Sequence, residues 1–206
     1  MLMKNGKLIK VCGMTSGRNI RAVEKLGVDM IGMVFYPASP RFVSKEPDYL
    51  PDTAERVGVF VNAGEEAVLR CVVKYGLDMV QLHGAESPDF CARLSKRGVG
   101  VIKAFGIASA ADFGRVSQYE GTCRYFLFDT RSEAYGGSGR SFDWSLLDNY
   151  KGSTRFLLSG GIGPDSAASL SAVDHPMLAG FDLNSRFESA PGVKNVRLIV
   201  NFLNEI

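Results

Sequence analysis

Histidine is scarce in this chain, with His83 and His175 the only two in 206 residues, and tryptophan occurs once, at Trp144. Cysteine is limited to Cys12, Cys71, Cys91 and Cys123, and no two of these form a CxxC pair. That spacing supplies neither a zinc site nor a disulfide framework, so no metal is expected and each cysteine is by default a small buried hydrophobe. An excess of one charge is also lacking. The 24 Lys and Arg against 22 Asp and Glu leave a net charge of +2 with no basic stripe, which argues against nucleic-acid and membrane-surface partners. No apolar run approaches the length of a membrane span, and the N-terminal segment carries no signal-peptide hydrophobic region. A cytoplasmic protein is the expectation.

What is present fits a globular fold. Hydrophobic residues make up 46% and charged residues 22%. The length suits a single domain over 1–206 that buries roughly 70% of its unfolded surface. Short β-branched runs alternate with amphipathic stretches throughout, which predicts βα repetition around a parallel sheet. Strands are predicted near Leu8–Cys12, Met30–Phe35, Val57–Val61, Met79–Leu82, Val101–Phe105, Tyr125–Asp129, Arg155–Ser159 and Ala179–Asp182. Helices are predicted over Asn19–Leu26, Glu65–Lys74, Pro88–Lys96, Pro164–Ala172 and Val196–Leu203, with Glu46–Ala54 a poor helix because of Pro47 and Pro51. Eight strands favour an α/β closed barrel, a single-domain (βα)8 TIM barrel, over an open sheet. An internal echo supports repetition: Lys25-Leu-Gly27-Val-Asp29-Met30 recurs as Lys74-Tyr-Gly76-Leu-Asp78-Met79, two βα units later.

In such a barrel the C-terminal strand ends form the active face. Asp129 ends an apolar run, and a loop with Gly136, Gly137 and Gly139 follows. One reading is a lid over an acid; the other is a surface turn that Asp129 begins. No Gly-Lys-Ser/Thr closes that loop, so it is not a nucleotide phosphate loop. Cys12 and Lys10 share strand parity, and a cation beside the thiol would lower its pKa and make it a base; the alternative is a packed strand cysteine. Gly160 and Gly161, before the helix at Pro164, suit an anion, with Asn184 and Ser185 supplying the other half of a phosphate cup. Arg41, in a proline-rich loop, either pairs with a substrate carboxylate or is simply solvated. Gln81 and His83 lie at the end of strand four, His83 as a supporting donor or a turn residue.

Together, Lys10-Val-Cys12-Gly-Met-Thr15, Gly32-Met-Val-Phe-Tyr-Pro37 with Ser39-Pro-Arg41, Val57-Gly-Val-Phe-Val-Asn62, Val80-Gln-Leu-His-Gly84, Phe128-Asp-Thr130 with Gly136-Gly-Ser-Gly139 and Phe142-Asp-Trp144, and Leu158-Ser-Gly-Gly-Ile162 resemble the N-(5'-phosphoribosyl)anthranilate isomerase family of tryptophan biosynthesis. The segments span nearly the whole chain in the family's order. The resemblance implies a (βα)8 barrel that needs no metal or organic cofactor. It implies an Amadori rearrangement of a phosphorylated sugar–anthranilate, with Asp129 as general acid, Cys12 as general base, and Arg41 on the anthranilate carboxylate. It further implies Gly160, Gly161 and Ser185 on the phosphate and Asp182 beside the reacting sugar, with Gln81 and His83 as further substrate-binding candidates. The protein is expected to act as a monomer or homodimer.

The chain departs from the family's pattern after strand eight. Asn184-Ser185-Arg186-Phe187-Glu188 stands where Ser-Ser-Gly followed by Val-Glu is common, and Asn195 stands where aspartate is usual. Arg186 removes a glycine's backbone freedom but adds a cation that could reach phosphate or carboxylate. A ribulose-phosphate epimerase is disfavoured by the two histidines and the absence of a metal-binding pattern. A non-catalytic phosphate-ligand sensor rests only on the altered loop.

Overall fold

A computed structural model describes residues 6–130 and 143–206. The glycine-rich segment expected to form a lid, with Gly136, Gly137 and Gly139, lies outside the described residues. Eight parallel strands close on themselves in sequence order: β1 (Leu8–Val11), β2 (Met30–Val34), β3 (Glu55–Phe60), β4 (Met79–Leu82), β5 (Gly100–Ile107), β6 (Tyr125–Thr130), β7 (Phe156–Leu158) and β8 (Leu178–Leu183). The seam pairs β1 with β8, setting Lys10 opposite Asp182. The eight predicted strands are all found, each within a few residues of its expected ends.

The helical layer is thinner than the sequence suggests. Helix α1 spans Gly17–Glu24, α2 Glu65–Tyr75, α3 Pro88–Lys96, α4 Ala167–Ser171 and α5 Val196–Glu205. Proline at the first position and a Ser87 cap on the Phe90 N–H start α3 where predicted. Between β2 and β3 there is no helix, as the two prolines foretold. That connection is instead gathered onto Glu24, whose carboxylate accepts from the N–H groups of Asp52, Thr53 and Ala54 and from the Tyr49 hydroxyl. Among the described residues, 3-10 segments at Ala110–Tyr119 and Trp144–Asn149 follow β5 and β6. Helix α4 is much shorter than the predicted Pro164–Ala172, because the Ser166 hydroxyl accepts the Gly163 N–H and holds the preceding residues in a turn. A two-stranded hairpin, β9 (Glu188–Ala190) and β10 (Val193–Lys194), was not foreseen.

The internal echo has a structural cause. Gly27 and Gly76 both take positive φ, 74° and 56°, a conformation that ends a helix without the Cβ clash other residues meet. The acid two residues later then turns back to the preceding strand. Asp29 accepts the Ile9 N–H at 2.8 Å, and Asp78 accepts the Arg56 N–H at 2.7 Å.

Alternating side chains divide the core. Met30, Val57, Met79, Ile102, Tyr125, Leu127 and Leu157 form one buried cluster in the barrel interior. Above it lie Cys12, Val34 and Val59. Two larger clusters, one around Phe105, Phe126, Phe128 and Phe156 and the other around Phe60, Val80 and Leu94, fill the space between strands and outer layer. His175 belongs to that outer packing: its Nδ1 accepts from Met177 N–H, and its ring meets Phe156 edge-on. Among the described residues, no helix is long and apolar enough to cross a membrane.

Candidate active site

Ten of the residues singled out from the sequence line one cavity at the C-terminal end of the barrel: Cys12, Arg41, Gln81, His83, Asp129, Gly160, Gly161, Asp182, Asn184 and Ser185. Strand parity explains Cys12. With Lys10 directed into the interior, Cys12 points the same way one step closer to the mouth. Gly32 on the neighbouring strand makes the room, since a Cβ there would stand 2.6 Å from the Cys12 sulfur.

The electrostatics around the thiol differ from expectation. Lys10 was expected to lower the Cys12 pKa; instead burial pushes the thiol up, with Lys10 opposing it, Asp182 reinforcing it and Lys194 opposing it. The Lys10 ammonium that opposes burial is itself paired, 2.8 Å from Asp182 Oδ1, with both side chains buried. Burial alone would lower the Lys10 pKa, but Asp182 and Cys12 prevail and raise it. Asp182 Oδ2 also accepts from the Ser159 hydroxyl at 3.4 Å. The second cation near the thiol, Lys194, went unnoticed in the sequence. It comes from β10, is fully buried, and its Nζ lies 2.8 Å from Asn184 Oδ1 and 2.6 Å from Glu188 Oε1.

Across the cavity, Asp129 is the penultimate residue of β6. Its Oδ1 accepts the Thr130 N–H at 2.8 Å, while its Oδ2 faces His83 Nε2 at 3.5 Å. His83 Nδ1 is 2.9 Å from Gln81 Nε2. His83 thus stands between Gln81 and Asp129 at the cavity wall rather than as a bare turn residue. Gln81 Oε1 is buried with no partner among the described residues. Behind this strand end, Lys103 and Glu86 form a buried pair 3.1 Å apart that also binds the Leu82 and Gly84 carbonyls and the Gly84 N–H.

Arg41 is not solvated. Its side chain is 11% exposed, and the guanidinium is held by the Glu188 carboxylate at 2.7–3.1 Å. Its stem crosses Gly13, which has φ of 79°; a Cβ there would lie 2.6 Å from Arg41 Cδ and 2.8 Å from Asn184 Oδ1. Only glycine suits that position.

One expectation for the phosphate end needs correcting. Helix α4 begins at Ala167 and has five residues, so no helix starts at Pro164 behind the Gly160–Gly161 turn. Asn184 and Ser185 line the cavity with Gly160 and Gly161, and the Asn184 side-chain oxygen accepts from Lys194 Nζ. Arg186 does not line the cavity. It reaches back to the β7 loop, donating to the Gly161 carbonyl at 3.0 Å and to Asp165 at 2.9 Å. Asn195, the other departure, caps α5 by accepting from the Arg197 and Leu198 N–H groups, a task asparagine performs as well as aspartate.

Comparison with known proteins places the chain in a family. The family model described as N-(5'phosphoribosyl)anthranilate (PRA) isomerase matches residues 9–205. The chain is 50% identical over 205 residues to the N-(5'-phosphoribosyl)anthranilate isomerase of Parabacteroides distasonis, covering 97% of this chain and 93% of that one. It is 48% identical over 199 residues to that of Phocaeicola vulgatus, covering 97% of each. Among solved structures, the phosphoribosyl anthranilate isomerase of Thermotoga maritima superposes with a TM-score of 0.81 at 34% identity, covering 97% of this chain and 98% of that one. An isomerase solved with reduced 1-(o-carboxyphenylamino)-1-deoxyribulose 5-phosphate superposes with a TM-score of 0.78 at 32% identity, covering 97% of both chains. A family model matched over almost the full length, relatives at half identity and a shared closed barrel lead to one conclusion: the chain belongs to the N-(5'-phosphoribosyl)anthranilate isomerase family.

Proposed function

We propose that Cys12 and Asp129 act as base and acid in the isomerisation of N-(5'-phosphoribosyl)anthranilate, the activity in tryptophan biosynthesis that family membership gives this chain. The Asp129 carboxyl protonates the ribose ring oxygen, the C1'–oxygen bond breaks, and the nitrogen lone pair forms an iminium at C1'. The Cys12 thiolate then takes the proton from C2', giving an enolamine that tautomerises to the 1-deoxyribulose ketone. Both groups must reach one sugar, and they come from strands β1 and β6; their sharing of one cavity is the observation that carries the reading.

The remaining residues divide by charge. Arg41 takes the anthranilate carboxylate, and Gly160, Gly161, Asn184 and Ser185 form the phosphate end. Gln81 offers its unpartnered buried oxygen to a sugar hydroxyl, an acceptor that is costly to leave unused. His83 holds Asp129, and Asp182 holds Lys10 beside the thiol. The reaction needs no organic cofactor, and the enzyme works in the cytoplasm as a monomer or homodimer.

Turnover by Cys12→Ala and by Asp129→Asn tests the assignment. Each variant is expected to lose about 10²-fold or more in kcat, while competitive inhibition by inorganic phosphate persists. Wild-type rates in either would remove the mechanism.

A further inference from the structure

We propose that Glu188 is a positioning residue for carboxylate discrimination: it grips one edge of the Arg41 guanidinium so that the opposite edge is presented to the ligand. The proposal rests on the reading of Arg41 as the carboxylate site.

The contact geometry defines which edge is taken. Arg41 Nε lies 2.9 and 3.1 Å from the two Glu188 oxygens, and Nη2 lies 2.7 Å from Oε2. These atoms form the side-on edge of the guanidinium. A guanidinium carries five N–H donors, and the ones this pairing does not use sit on the Nη1/Nη2 end, where a second carboxylate still finds a two-pronged fork. Arg41 lines the cavity wall and Glu188 does not, so the open end faces the ligand side.

Glu188 is itself fixed from behind. Its Oε1 accepts from Lys194 Nζ at 2.6 Å and from the Gly192 N–H at 3.2 Å, both supplied by the β9–β10 hairpin. The carboxylate is 5% exposed and the lysine side chain fully buried. Two cations against one anion leave this cluster one positive charge in excess, which one ligand carboxylate would balance. An arginine without this restraint has several rotatable bonds, and the phosphate at the far end of the same ligand is a competing anion. Holding Arg41 at one end of the cavity therefore fixes which end of the substrate goes where.

The test compares two competitive inhibitors, the reduced product analogue with its 2-carboxyphenyl ring and an N-phenyl counterpart lacking the carboxylate. In Glu188→Gln and Glu188→Asp, binding of the carboxylate-bearing analogue is expected to weaken by about tenfold, as the loss of an oriented bidentate pair implies. Substrate KM should rise in step, with kcat nearly unchanged and N-phenyl inhibition unaltered. Glu188→Asp keeps the charge facing Lys194 while shortening the reach to Arg41, and it carries the test if the glutamine variant does not fold. Adding Glu188→Gln to Arg41→Ala should cost nothing further. Glu188 variants that keep wild-type discrimination, or that lose both analogues equally, would overturn the proposal. If Arg41→Ala itself still discriminates, the fault lies in the assignment of Arg41, and the role of Glu188 falls with it.

Discussion

A cation beside a thiol favours the thiolate only to the extent that no closer anion has already neutralised it. Lys10 shares its charge with Asp182, so at Cys12 the cost of burying a thiolate outweighs the attraction and the thiol is pushed up. The base form then becomes more abundant as pH rises, and kcat/KM is expected to climb from neutral into the alkaline range. Lys194→Met should shift that limb to higher pH, because Lys194 is a cation that lowers the Cys12 pKa. pH–rate profiles of the free enzyme check both; a flat profile between roughly pH 6 and 9 would contradict the assignment of the base. The inward direction of Lys10 and Cys12 was legible from parity alone. The sign of the shift was not, because it is set by how deeply closure of the barrel buries the thiol, reinforced by Asp182, which pairs with Lys10 from 172 residues further along the chain. Gly13 shows the same limit. It follows Cys12 in the sequence, but nothing local reveals that Arg41 and Asn184 will close over it. Gly13→Ala is expected to cost about 1–2 kcal/mol in denaturant-measured stability from the strained φ alone, and to raise KM by displacing Arg41.

At the scale of elements, capping and anchoring carboxylates explain why the strands were readable and some connections were not. Gly27 and Gly76 with their following acids gave a repeat visible in the sequence, because the helix stop and the strand start sit within a few residues of each other. The β2–β3 connection offers no such local pattern. Its order comes from Glu24, which lies on α1 and collects three backbone N–H groups and a hydroxyl. Burial alone would raise the Glu24 pKa, but the hydrogen bonds from Tyr49, Ala54, Thr53 and Asp52 prevail and hold it down at about 2. A folded-state pKa below the unfolded value gives stability that is present above about pH 4.5 and lost as pH falls toward 2. That stability is on the order of 2–3 kcal/mol. Glu24→Gln should therefore lose an amount of that order at pH 7 by urea denaturation, and the gap to wild type should narrow as the buffer is acidified through this range. Equal stabilities at neutral pH would show that the connection is held by something else. The β9–β10 hairpin escaped notice because strands of three and two residues carry no readable alternation.

For the whole molecule, the eightfold count and the segment order were enough to read a closed barrel, since strand periodicity survives whatever the connections do. What closure adds is the buried Lys10–Asp182 pair on the β1–β8 seam. Lys10→Met alone strands a carboxylate in the interior and is expected to cost about 3–5 kcal/mol. The double replacement Lys10→Met with Asp182→Leu should recover most of that loss in thermal melts while leaving the enzyme inactive. Recovery of activity along with stability would mean the pair serves the fold only. In cells, the wild-type gene is expected to rescue growth without tryptophan in an auxotroph lacking this isomerase, and the double variant is not.

The seam also sets an order of events. A nascent chain holding β1 but not yet β8 carries an ammonium with no counter-charge in what will become an oily interior, and the loop to be closed is among the longest the fold allows. A chain cut before β8 is therefore expected to leave Lys10 without its buried counter-charge and the cavity without Asp182, Asn184 and Ser185, so neither stability nor turnover should survive the truncation.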